Sequence, residues 1–216
     1  MSTGNVLGDP TRLAAVARVL PVARGGQEAL DRLAELAATV LDTPIGVVNL
    51  IDTEQHLVGQ VGLGEPFATS RQASIDTGFY PSAFFVDKPL YIENVAEEPA
   101  FIHHPGHVTL GFIAYAGAPL RDANGQVLGT LCVMDTRPRR WSRAARHAPE
   151  ALATAVVHEM KLYQDIREWE RRALGPPGSP RHRAATTSDH RTGGRRWRTR
   201  HHPAPEGRKA ELGWQR

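Results

Sequence analysis

Hydrophobic residues recur every three or four positions in two places near the start of the chain, which is the spacing of an amphipathic helix. The stronger pattern has charged residues between its apolar positions and predicts a helix over about Ala29–Leu41. A weaker pattern runs from Leu13 to Leu20 and stops at Pro21, where a helical hydrogen bond is lost. We therefore expect only a brief helix in the lead segment 1–26.

Runs of β-branched and aromatic residues predict the strands. The run Ile45–Ile51 has few polar breaks, which favours a central buried strand, and a polar turn joins it to the next strand as a hairpin. Asn124-Gly125 is a strong signal for a second hairpin, because both residues tolerate positive φ. The expected strands are 45–51, 56–62, 89–93, 112–120 and 126–134.

Irregular segments separate these strands and a long helix follows them. Residues 63–77 lack periodicity and are expected to be a loop, residues 94–107 are expected to form one helical turn and then a loop, and Phe79–Phe85 is a candidate short helix. The last helix should begin near Pro149 and end at Leu174, before Gly175 and two prolines. The expected organisation is a lead over 1–26, a domain over 27–174 and a disordered basic tail over 175–216.

The distribution of charge changes the picture more than the net charge of +3 does. Residues 176–216 carry ten basic and three acidic side chains, a net charge of +7, which leaves −4 for the rest of the chain. This is typical of a globular domain with a solvated arm.

The single cysteine, Cys132, excludes an intramolecular disulfide, and no apolar run is long enough to span a bilayer. We expect a cytoplasmic protein.

Three segments of the chain resemble the GAF domain, a small-molecule sensor module of bacterial signalling proteins. They are DRLAELAATVLDTPIGVVNLID at 31–52, KPLYIENVAEEPAF at 88–101 and YAGAPLRDANGQVLGTLCVMDTRPRRWS at 115–142. The resemblance implies an α+β fold with a central antiparallel sheet of five or six strands. It also implies that the N- and C-terminal helices pack on one face, and that a ligand pocket lies on the other face beneath the segments between strands.

Position on the expected sheet and roof selects candidate ligand-binding residues. The aromatic candidates are Phe79, Phe84, Phe101, Phe112 and Tyr115, with polar contacts from His103 or Arg121. Ordinary packing of the same side chains in a core is the alternative.

Cysteine and histidine chemistry adds little to these candidates. Cys132 lies inside an expected strand and is interpreted as a small buried residue, and no cysteine occupies the roof segment where chromophore-binding relatives attach a bilin. His103, His104 and His107 form a cluster, but Pro105 breaks the helical spacing of a metal-binding pair, so no metal site is predicted. The cofactor remains unknown.

The sequence favours a sensory module that binds an unidentified small molecule and signals non-catalytically to a partner protein. We therefore predict that the chain is not an enzyme. A dimeric adaptor with an empty or self-filled pocket and an enzyme built on the same fold are the alternatives.

Two apolar stripes on the last helix suggest a homodimer; one stripe consists of Leu162, Ile166, Trp169 and Ala173. The arginine-rich tail is a candidate for binding nucleic acid or anionic lipid.

Overall fold

Six strands of the described chain form one antiparallel sheet in the order β3-β2-β1-β6-β5-β4. The computed structural model describes residues 7–77, 88–108 and 110–174. The largely apolar strand β1 lies between β2 and β6 and is buried along its whole length, as predicted for a central strand. The strands are β1 Ile45–Ile51, β2 Gln55–Val61, β3 Gln72–Ala73, β4 Leu90–Ile92, β5 Ala114–Arg121 and β6 Val127–Asp135.

Helices precede, interrupt and follow these strands. The described helices are α1 Pro10–Gly25, α2 Gln27–Val40, α3 Phe67–Ser70, α4 Pro105–Val108 and α5 Ala148–Leu174, with 3-10 turns at Ile75–Thr77 and Val95–Glu97. Residues 1–169 form one compact unit. Of the second unit, residues 170–216, only the helical residues 170–174 are described. No helix in the described ranges is long and apolar enough to cross a membrane.

The main core lies between one face of the sheet and the three longer helices. Val16 of α1, Leu30 of α2 and Val156 of α5 are fully buried there against Val48 of β1 and Leu131 of β6. The opposite face of the sheet carries a second apolar cluster. The α+β class, the antiparallel sheet and the helices on one face are thereby confirmed.

The expectation that the first helix ends at Pro21 is wrong. Helix α1 begins at Pro10, capped by the Asp9 carboxylate, which accepts a hydrogen bond of 3.0 Å from the Thr11 N–H. It then continues through Pro21 to Gly25. Pro21 removes one helical hydrogen bond, but Val22 and Ala23 beyond it are buried. Their burial offsets that loss.

The predicted second hairpin is present between β5 and β6. Gly125 has a φ of +80°, which glycine adopts without strain. The Asp122 carboxylate accepts hydrogen bonds from the backbone N–H groups of Asn124 at 2.9 Å and Gln126 at 2.8 Å. This turn fixes the register of the two long strands.

The candidate short helix at Phe79–Phe85 and the basic tail at 175–216 lie outside the described residues. The disorder of that tail and its binding to nucleic acid or anionic lipid stay predictions, as do the domain boundaries at 27 and 174.

Candidate functional site

Strand alternation divides β1 between two environments. Val48 and Leu50 face the helices, whereas Ile45 and Val47 belong to the cluster on the opposite face, and Asn49 follows them on that side. The pairing of β1 with β2 shifts between Val48 and Asn49. The alternation along β1 thus places an amide side chain in an otherwise apolar surface.

A cavity of about 50 Å³ lies against this face. Because one water molecule needs about 10–15 Å³ of such space, the cavity holds only a few non-hydrogen atoms. Strands β1, β2, β5 and β6 form its floor, and the segment from Leu63 to Thr77 contributes to its roof. The lining residues are Val47, Asn49, Gln55, Leu57, Leu63, Phe67, Ala73, Thr77, Leu110, Phe112, Tyr115, Thr130, Cys132 and Met134.

Two buried amides connect the floor of the cavity to its roof. The Asn49 amide N–H donates to Gln55 Oε1 at 2.7 Å. The Gln55 amide N–H in turn donates to the Ser74 carbonyl at 2.5 Å and to Thr77 Oγ1 at 3.1 Å. The Thr77 hydroxyl donates to the same Ser74 carbonyl at 2.8 Å. The roof turn is therefore attached to the sheet through side chains as well as through β3.

The remaining polar atom of Asn49 has no such contact. Asn49 is 4% exposed, and no donor among the described residues lies within hydrogen-bond distance of its Oδ1. A buried acceptor without a donor is unfavourable, and native structures contain few of them. The cavity wall thus presents a hydrogen-bond acceptor that the described chain does not use.

Three other polar groups line the cavity together. Tyr115, Thr130 and Cys132 are buried on β5 and β6, and their side chains interact with one another. Burial raises the pKa of Cys132 to about 12 and that of Tyr115 well above its usual range. Both groups are protonated at neutral pH, so Cys132 is not a thiolate nucleophile.

Of the aromatic residues selected from the sequence, Phe112 and Tyr115 line the cavity. Phe101 is half-buried and packs against the same apolar cluster without lining the cavity. Phe79 and Phe84 lie outside the described residues.

The two polar candidates lie elsewhere. Arg121 borders a separate surface groove beside α5, together with Pro119 at the same end of β5. His103 is exposed in the turn after Phe101.

The neighbouring histidines serve the loop between β4 and β5. His104 Nδ1 accepts a hydrogen bond of 3.0 Å from the Gly106 N–H. His107 Nδ1 donates to the Phe112 carbonyl at 3.0 Å. Within the described ranges, no three His, Cys, Asp or Glu side chains are placed to hold a metal ion.

Sequence reasoning missed Asn49, Gln55 and Thr130. Each is a polar residue in a strand or at its start and is almost fully buried. Asn49 could have been identified from the sequence, because it is a lone amide inside an apolar run. A polar side chain buried in this way needs a hydrogen-bond partner, which indicates a site.

Comparisons with known proteins agree with this architecture. The GAF domain family model matches residues 26–160, more than half of the chain, and the chain belongs to the GAF domain family. A cyclic di-GMP phosphodiesterase of Pseudomonas aeruginosa is 29% identical over 119 residues, covering 53% of this chain and 19% of that enzyme. The chain therefore matches about a fifth of that relative's length.

Solved structures show the same fold at low sequence identity. The GAF domain of an Acinetobacter phosphoenolpyruvate-protein phosphotransferase has a TM-score of 0.54 at 16% identity, covering 74% of this chain and 99% of that domain. The free methionine-R-sulfoxide reductase of Neisseria meningitidis, in complex with its substrate, has a TM-score of 0.52 at 14% identity, covering 71% of this chain and 93% of that one.

The prediction that the chain is not an enzyme is wrong in view of these comparisons. One sequence relative is a phosphodiesterase, and one structural neighbour is a reductase. The prediction rested on the interpretation of the chain as a non-catalytic sensory module. That interpretation does not separate this chain from enzymes. The phosphodiesterase and reductase activities are those of the two relatives.

Proposed function

We propose that this GAF domain is a sensory module that binds a small molecule in the cavity between the sheet and the segment 63–77. The observation that carries the proposal is the buried Asn49 Oδ1, an acceptor on the cavity wall with no donor in the described chain. The apolar residues around it supply contact area, and a few polar groups fix orientation. This division is typical of small-molecule sites.

Native mass spectrometry of freshly purified full-length protein tests this proposal. The expected result is a mass above that of the polypeptide, with the excess released on unfolding. A matched sample carrying Leu57→Trp, which fills the cavity from β2, should lose the extra mass. A protein that carries no bound molecule, and whose melting temperature no small molecule raises, would instead support the alternative of an adaptor with an empty or self-filled pocket.

The signal is proposed to leave the domain through α5. One face of this helix packs on the core through Ala153, Val156 and Met160. The other face exposes the stripe Leu162, Ile166 and Trp169, at 54%, 42% and 68% exposure. A ligand changes such a helix only if it binds one arrangement more tightly than another. A partner protein would respond by binding one arrangement of the helix more tightly than the other.

We infer that a second copy of the chain covers this stripe and forms a homodimer. Leu162, Ile166 and Trp169 are spaced by four and three residues, as in a helix–helix seam. Lys161 and Asp165 beside the stripe have opposite signs and pair at 3.3 Å. The edge of the seam is therefore electrically balanced, so a second copy of the same helix meets no net like-charge repulsion there.

Sedimentation velocity over a range of protein concentrations tests the dimer. Ile166→Glu should shift the protein toward the monomer by at least tenfold in the dissociation constant, because a carboxylate would be buried in an apolar seam. Val108→Glu is the matched control, since Val108 is also exposed but lies on α4. A wild-type protein that stays monomeric at about 200 µM would contradict the homodimer.

A further inference from the structure

The amide pair on the cavity floor defines what kind of ligand the cavity recognises. We infer that the cavity is selective for a small, uncharged, largely apolar molecule with one N–H or O–H group, which donates to Asn49 Oδ1. This inference rests on the proposed function and adds the chemical class of the ligand to it.

The direction of the hydrogen bonds fixes which atom of Asn49 faces the ligand. A carbonyl oxygen only accepts, so the Ser74 carbonyl requires the amide N–H side of Gln55, 2.5 Å away. Gln55 Oε1 then points to Asn49 and accepts from its amide N–H at 2.7 Å. Reversing either amide would set two oxygens or two N–H groups against each other. Asn49 therefore presents its Oδ1 as the unused atom.

The other polar groups of the cavity do not compete for this role. Thr77 donates to the Ser74 carbonyl, and the side chains of Tyr115, Thr130 and Cys132 interact with one another. Asn49 Oδ1 is a lining acceptor that has no donor within the described chain. A ligand acceptor placed there would face another acceptor, and only a donor would form a hydrogen bond.

The remaining lining argues for an uncharged ligand. None of the described lining residues is Asp, Glu, Lys, Arg or His, and the two ionisable groups, Tyr115 and Cys132, are protonated at neutral pH. A buried ion would find no counter-charge, and its desolvation would oppose binding. The aromatic and aliphatic residues around Asn49, including Phe67 and Phe112, favour an apolar body.

Pyrrole and furan provide a matched pair of probes for the full-length protein. Both are flat, five-membered aromatic rings, and they differ at one ring atom, an N–H donor in pyrrole and an oxygen in furan. Titrations followed by amide NMR signals of β1 and β6 should give a dissociation constant about tenfold lower for pyrrole, the value of roughly one hydrogen bond. In Asn49→Leu the two constants should agree within about twofold, since the acceptor is gone.

Gln60→Leu is the matched control. It removes another buried amide oxygen without a donor in the described chain, and Gln60 does not line the cavity. This variant should keep the preference for pyrrole. If Asn49→Leu does not fold, the Asn49 Cγ chemical shift of the wild-type protein still decides, because a donor on Oδ1 should move it with pyrrole and not with furan.

The outcomes separate this inference from the proposed function. Equal binding of pyrrole and furan, with signals of cavity residues shifting for both, would overturn the donor preference and leave a small-molecule cavity in place. That result is also expected if a water molecule already occupies Asn49 Oδ1. If neither probe shifts any cavity signal, the proposed function fails together with the inference.

Discussion

Burial decides the protonation of the side chains around the cavity. Cys132 lies on β6 opposite Val47 of β1 and Gly117 of β5, inside the sheet, and it is 7% exposed. Desolvation disfavours its thiolate and outweighs the opposing effect of the Tyr115 and Thr130 side chains, so the pKa of Cys132 rises to about 12. The folded protein therefore holds this proton at pH values where an unfolded chain has lost it.

This difference predicts that stability falls above pH 9. The unfolded Cys132 loses its proton near the ordinary pKa of 9.0 and the folded one near 12. Between these values the unfolded chain binds fewer protons, so the free energy of unfolding decreases as pH rises, by up to about 1.4 kcal/mol per pH unit. Below pH 9 this contribution is constant. Urea unfolding at pH 8, 9 and 10, followed by circular dichroism, measures it.

Cys132→Ala is the control for the pH effect. The variant should be less stable at pH 8 because it leaves a small void, but its stability should fall less steeply between pH 9 and pH 10. A residual slope is expected from Tyr115, whose pKa is also raised by burial. Identical slopes for the two proteins would contradict the assignment to Cys132.

Individual residues of the site were predictable only where hydrophobicity alone decides their position. Phe112 and Tyr115 were selected as aromatic residues on a strand of the expected sheet, and both line the cavity. Asn49 and Gln55 were not selected, because their side chains meet only when the β1–β2 hairpin has formed and the Gln55 amide has bound the roof turn. Arg121 was misplaced because its position on a strand does not show that this end of β5 borders the groove beside α5.

At the scale of elements, helix α2 approaches the sheet more closely than a side chain would allow. Gly46 of β1 faces the Ala34 carbonyl, and Gly59 of β2 faces the Leu30 carbonyl. A Cβ atom at either position would overlap backbone atoms of α2, which cannot rotate away. The two glycines therefore set the distance between the helix and the sheet.

Gly59→Ala should destabilise the domain by about 2 kcal/mol, because the added methyl group pushes α2 off β2. Gly64→Ala is the matched control, since a Cβ at Gly64 has no neighbour within 4 Å. We expect this second change to alter stability by less than about 0.5 kcal/mol. Chemical denaturation of both variants measures the difference, and equal stabilities would refute the close approach of α2.

Elements with a clear hydrophobic periodicity were predictable from the sequence, and the departure of α1 from its predicted length has a physical cause. Helix α2, strand β1 and the β5–β6 hairpin agree with their sequence patterns within a few residues, because each has one consistent set of buried positions. Helix α1 departs from its pattern because the burial of Val22 and Ala23 by the rest of the fold outweighs the local effect of Pro21. Rules based on local sequence do not include the stabilisation that comes from tertiary burial.

At the scale of the whole molecule, the core extends beyond the region that the family model matches. The match begins at residue 26, whereas α1 ends at Gly25. Ala15, Val16, Val19 and Ala23 of α1 belong to the same buried cluster as α2, α5 and the sheet. Arg12 is 1% exposed, and its guanidinium donates to the Ile51 carbonyl at the end of β1 and to the Leu7 carbonyl.

Deleting residues 1–25 should therefore lower the melting temperature by about 10 °C or more. Each fully buried aliphatic side chain contributes about 1.5–3 kcal/mol, and 1 kcal/mol corresponds to about 2–4 °C in a chain of this size. Differential scanning calorimetry of the truncated and full-length proteins measures the shift. A truncated protein with an unchanged melting temperature would show that the domain is complete from residue 26.

Two single substitutions locate the effect within α1, in case the truncated protein does not fold. Arg12→Met leaves the Ile51 carbonyl without its guanidinium donor and should cost about 1–3 kcal/mol. Arg18→Met changes an exposed arginine of the same helix and should cost less than about 0.5 kcal/mol. If Arg12→Met is as stable as Arg18→Met, the contact between α1 and β1 contributes nothing. A large difference makes α1 part of the folded GAF domain, because Arg12 binds the carbonyl of Ile51 at the end of β1, the strand on which Asn49 lies.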